Sequence, residues 1–172
     1  MRRSVTVRVV GPMQWIVYPA LIAIAATVAL ATPVELFGLN LPEPILPMVL
    51  AFAWPLIRPS IVAPAVLLGL GLFLDVFWFA PLGMWALCLL AVYGAVLLSR
   101  VFLAGQEVRV LFVWYAACTA MAFFIAYAVI GLRTGNAPSL LALVGQIVPT
   151  LILFPLANIM IERFDDGDVR FR

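Results

Sequence analysis

Apolar residues in this chain are gathered into six long blocks, with the polar residues collected between them. That is neither the two-residue alternation of a half-buried strand nor the one-sided stripe of a surface helix. An unbroken apolar block of about 18 residues or more reads as a membrane-spanning helix. The first block is about Met13–Thr32, MQWIVYPALIAIAATVALAT. The third to sixth are about Ser60–Phe79, Leu82–Leu103, Val108–Leu132 and Ser139–Ile161, each long enough to span. The second, about Pro44–Ile57, is PILPMVLAFAWPLI. At about 1.5 Å per residue it covers roughly 21 Å against a hydrocarbon core of about 30 Å. Pro47 and Pro55 lack backbone donors and invite a kink. This block either begins earlier, near Leu39, or is re-entrant.

The links are brief. Ala80-Pro81 joins the third block to the fourth, which makes those two antiparallel neighbours. LAGQEV turns the chain before the fifth and RTGNAP before the sixth. No linker or extramembrane domain is visible, so the pattern predicts a single all-α polytopic domain over residues 1–172.

Composition agrees. Hydrophobic residues make up 66% of the chain and charged residues 10%. A soluble domain is nearer half apolar and a quarter charged, so the solvent implied here is lipid. All ten basic residues are Arg, and there is no His. That removes His-based metal sites and Ser/His or Cys/His nucleophilic sites. Cys88 and Cys118 each lie inside an apolar run and read as buried free thiols. FDDGD, Phe164–Asp168, lacks the later Glu of a calcium loop and reads as a solvated tail. No catalytic set, cofactor motif or nucleic-acid signal is present.

The arginines set an orientation. With the N-terminus in the cytoplasm and six crossings, Arg2, Arg3, Arg8, Arg58, Arg100, Arg109, Arg163, Arg170 and Arg172 fall on the cytoplasmic side. Only Arg133 falls outside. This is the positive-inside bias, and it requires the second block to count as a crossing. Trp15, Trp54 and Trp114 then lie near the inner interface and Trp78 and Trp85 near the outer one, where amphipathic rings settle. MRRSVTVR followed by an apolar run and Ala29-Leu30-Ala31 has the look of a signal peptide. The run is longer than an h-region, so the first block is expected to be retained.

Asp75 is the one acid inside a span. It lies four residues before Phe79, about 6 Å below the outer interface. Gly71 and Pro64 share its face, which is narrow enough for another helix to approach closely. Three readings stand. Asp75 accepts hydrogen bonds from backbone donors near Pro81–Gly83 or from a partner helix; it is a proton or ion site; or it is a solvated acid at an outer vestibule. Gln146, Thr150 and Asn158 in the last block read as helix–helix hydrogen-bonding residues. Ala25 and Ala29 form a second small-residue stripe.

The segment around Asp75 resembles the signature region of the MreD family, the rod shape-determining membrane proteins of bacteria. The pattern is an apolar span ending in G-x-x-x-D, a few residues, then P-L-G and another apolar span. Here it reads Gly71, Asp75, Pro81, Leu82 and Gly83. LPEPILPMVLAFAWPLIRPS is similar to the family's second segment and VPTLILFPLANIMIERF to its last helix. The resemblance implies a non-enzymatic inner-membrane component of the rod complex, without a cofactor. Its partners would be MreC first, then RodA, a class B penicillin-binding protein and MreB, acting together in side-wall peptidoglycan synthesis. It also implies a fold like the substrate-binding subunits of energy-coupling-factor vitamin transporters. On this reading Asp75 and the Pro81–Gly83 turn shape the outer end of a surface that receives a partner's transmembrane helix. Self-association stays open. The alternative is a vitamin-type transporter subunit, whose outer polar cavity would draw on Asp75, Asn40, Asn136 and Arg133.

Overall fold

The computed structural model describes residues 8–11, 13–30, 35–36, 39–40, 43–135, 140–165 and 169–171. Arg2, Arg3, Arg172, Thr32, Asn136 and Asp166–Asp168, which entered the sequence reading, lie outside them. Among the described residues seven α-helices carry the fold: α1 (Tyr18–Leu30), α2 (Leu46–Ile57), α3 (Val62–Phe77), α4 (Met84–Leu103), α5 (Val108–Thr134), α6 (Leu140–Ile152) and α7 (Phe154–Asp165). A π-helical turn, Met13–Val17, leads into α1. Among the described residues three segments are long and apolar enough to cross a membrane: Met84–Leu103, Val108–Arg133 and Val144–Phe164. Gln14–Leu30, Leu46–Ile57 and Val62–Phe77 are shorter apolar helices.

Strands are minor. β1 (Arg8–Val10) pairs in parallel with β4 (Val169–Phe171), and β2 (Glu35–Leu36) pairs antiparallel with β3 (Leu39–Asn40). The first pair brings the approach to α1 and the exit from α7 to one end of the molecule. The second pair corrects the expected early start of the second block, because Leu39 lies in a strand.

α2 is the centre of the molecule. Every residue from Leu46 to Pro55 is buried. A helix apolar all round has no solvent face to offer and is stable only when enclosed. α4, α7, α1 and α3 pack around it. Its two prolines fall where they do least harm. Pro47 sits in the first turn, where its missing donor would have been unpaired in any case. Pro55 sits in the last turn, and Arg58 N–H closes the helix on the Trp54 carbonyl at 3.0 Å.

The sixth block is broken, where one continuous helix was expected. Pro149 and Pro155 both lack the N–H of a helical ladder. At the break, Leu153 N–H donates to the Thr150 carbonyl at 3.2 Å and Leu156 N–H to the Leu153 carbonyl at 3.0 Å. Both are three-residue spacings, so the chain tightens there before α7 begins.

The expected tryptophan belts are corrected in part. Trp15, Trp54 and Trp85 are 3%, 0% and 4% exposed, so they pack the core rather than an interface. Trp54 Nε1–H donates to the Trp15 carbonyl at 3.1 Å, which satisfies the indole inside the protein.

Candidate functional site

α3 ends in a turn whose bonds define it. Phe79 N–H donates to the Val76 carbonyl at 3.4 Å and Ala80 N–H to the Asp75 carbonyl at 2.8 Å. That pair of bonds is a Schellman cap, which requires a left-handed residue at its centre. The position is normally glycine, but no glycine lies between Gly71 and Gly83. Phe79 takes it instead, with φ +52°.

The side chain of Asp75 then reaches past this cap to the start of α4. Its Oδ2 accepts the Gly83 N–H at 2.7 Å and its Oδ1 accepts the Trp85 N–H at 2.8 Å. The first N–H groups of a helix have no partner within it. Here a carboxylate from the preceding helix supplies one, at the positive end of the α4 dipole. Main chain and side chain together, Asp75 binds three donors of one turn, those of Ala80, Gly83 and Trp85. Gly83 itself has φ +87°, which glycine adopts without strain. Asp75 is 1% exposed, and these bonds account for how an acid sits there.

Gly71 sets the distance between the helices. A methyl group on it would fall onto the backbone of Ala86 in α4, so only glycine permits this approach. The small face of α3, expected to let another helix approach closely, is filled by α4 of the same chain, and Gly71 and Asp75 are both internal. Pro81 and Gly83 are half-buried, whereas Leu82 is 67% exposed. Phe79, which the family pattern does not single out, is 96% exposed. Around the turn, Trp78 stacks edge-on against Trp85 at 5.6 Å and donates from Nε1 to Glu43 Oε2 at 2.9 Å. Trp85 in turn meets Phe123 of α5 at 5.8 Å.

A second polar cluster ties the broken last block to the entrance of α2. Thr150 Oγ1 accepts the Ile45 N–H at 3.2 Å and donates to the Gln146 carbonyl at 2.8 Å. Tyr115 Oη donates to the Thr150 carbonyl at 3.0 Å, and Gln146 Nε2 to the Glu43 carbonyl at 3.3 Å. Gln146 and Thr150 therefore join separate segments of the chain. Asn158 does not; it donates to Glu162 on its own helix at 2.7 Å.

Of the four polar residues of the transporter alternative, Asp75 and Arg133 have described side chains, and these two are apart. Asp75 is occupied at the turn, Arg133 is exposed near the end of α5, and the side chains of Asn40 and Asn136 lie outside the described set. A cavity of about 550 Å³ lies elsewhere, between α1, α2 and α7, and among its described lining residues are neither Asp75 nor Arg133. Among the described residues no cluster of three His, Cys, Asp or Glu could hold a metal ion. Cys88 and Cys118 are buried free thiols.

In comparisons with known proteins, the chain matches no family model, no curated protein and no solved structure.

Proposed function

We propose that this chain is a non-enzymatic, multi-pass component of the bacterial cytoplasmic membrane, of the MreD type. It acts as a scaffold that binds MreC and helps place RodA, a class B penicillin-binding protein and MreB for side-wall peptidoglycan synthesis. The observation that supports this best is the Asp75 turn. An acid is spent inside the membrane on fixing a turn, and the turn carries Phe79 and Leu82 outward. The element offered to a partner is that turn, with Asp75 and Gly71 behind it as its rigid support.

Both termini lie in the cytoplasm on this reading, with nine of ten arginines on that side. The pairing of β1 with β4 fits an even number of crossings, because it puts both ends of the described chain together. The test is affinity purification from mild detergent at native expression, with mass spectrometry of what is retained. MreC in near-stoichiometric amounts, reduced by Phe79→Ser, is the expected result. Retention of an energy-coupling ATPase module, or no MreC at all, overturns the proposal.

A further inference from the structure

The cavity between α1 and α7 is a groove with a charged end. Ile22 and Ala26 of α1, Leu50 of α2, and Ile159 and Met160 of α7 make its walls and floor apolar. Gln14, Tyr18 and Arg163 also line it. Gln14 and Tyr18 belong to the entry into α1 and Arg163 to the last turns of α7, and the pairing of β1 with β4 puts those two regions at one end. The groove is therefore apolar along its length, with donors and a cation at one mouth. Arg163 is exposed, and no carboxylate among the described side chains pairs with it. The neighbouring Glu162 is turned to Asn158 at 2.7 Å.

We propose that this groove binds one anionic phospholipid, with an acyl chain laid along α2 and the phosphate held by Arg163. The groove runs along roughly 12 Å of helix axis, from Tyr18 to Ala26, and its apolar walls suit the first part of an acyl chain. Charge argues for an anion, since a guanidinium matches phosphate with paired N–H groups. Depth agrees as well. If the chain ends are cytoplasmic, Arg163 lies at the phosphate level of the inner leaflet, where anionic lipids are recognised by basic side chains. The inference rests on the membrane placement and not on the identity of the protein partner, so either can fail alone.

The test is native mass spectrometry of the full chain released from detergent, with dioleoyl-phosphatidylglycerol or dioleoyl-phosphatidylcholine added. One phosphatidylglycerol should stay bound where phosphatidylcholine does not. Arg163→Gln should weaken retention by about tenfold, the worth of one charge-assisted contact. Ala26→Trp and Ile22→Trp should each block the groove, whereas Leu98→Trp, an 83%-exposed position outside it, should change nothing. Thermal unfolding of all four variants shows which of them fold, and the result needs only one of the two groove variants. Equal retention of both lipids, or unchanged retention in a folded groove variant, overturns the proposal. So does equal binding of glycerol phosphate, which would assign the site to a soluble phosphate. A changed oligomeric state in Ala26→Trp with lipid still bound would assign the groove to a second copy.

Discussion

Asp75 and Gly83 are joined across the α3–α4 turn by a 2.7 Å hydrogen bond from backbone N–H to carboxylate. Removing the carboxylate leaves the Gly83 and Trp85 donors without their acceptor inside the protein. Asp75→Ala should therefore destabilise by about 2–4 kcal/mol, and Asp75→Asn, which keeps one acceptor oxygen, by about 1–2 kcal/mol. Thermal unfolding in detergent gives the order. Equal, negligible losses from both would mean that the bonds do not hold the turn.

Two glycines lie two residues apart in α3 and should behave oppositely. A side chain on Gly71 meets the backbone of Ala86, and a side chain on Gly69 meets nothing within 4 Å. Gly71→Ala should cost about 1–3 kcal/mol through forced separation of α3 and α4. Gly69→Ala should stabilise by about 0.5–1 kcal/mol, because alanine is the better helix former. The same unfolding assay separates them, and matching signs would contradict the packing described.

Phe79 sits in a left-handed conformation that costs a non-glycine residue about 1–2 kcal/mol. Phe79→Gly should raise stability by about 1 kcal/mol, and Phe79→Val should lower it, since a branched side chain tolerates φ +52° least. If the exposed ring is what a partner meets, Phe79→Gly should also lose partner retention while gaining stability. A stabilised variant that keeps its partner would leave the ring without that role.

Two buried threonines on neighbouring elements should also respond in opposite directions. Thr119 is buried and its hydroxyl has no partner, so Thr119→Val should stabilise by about 1 kcal/mol. Thr150 receives the Ile45 N–H, so Thr150→Val should cost about 1–3 kcal/mol. Hydrogen exchange at the start of α2 should rise for Thr150→Val alone.

The apolar segments and their order were legible in the sequence because length and hydropathy decide which segments avoid water, though the sixth holds two helices. Which side of each helix faces inward was not. In a chain this apolar throughout, Trp54 and Leu98 look alike in sequence, yet one is 0% and the other 83% exposed. That is why hydropathy assigns Trp15, Trp54 and Trp85 to interfaces and leaves open which helix meets the small face of α3. The break at Leu153 had visible causes in Pro149 and Pro155, but prolines also sit inside or beside intact helices, as Pro55 does. The turn at Asp75 was readable because a lone acid beside P-L-G needs donors, and the following helix start has them. Phe79 was not, because its left-handed conformation follows from the cap's geometry while its side chain signals nothing of the kind.

The enclosure of α2 bears on how the chain is made. At 12 residues it is too short to settle in a bilayer by itself, and the helix that covers one of its flanks, α7, begins at Phe154. During synthesis the middle of the molecule is therefore produced early and closed late. Until α7 leaves the ribosome, α2 must wait beside α1, α3 and α4 with a side uncovered, and a chain stopped before Phe154 should be degraded instead of assembling.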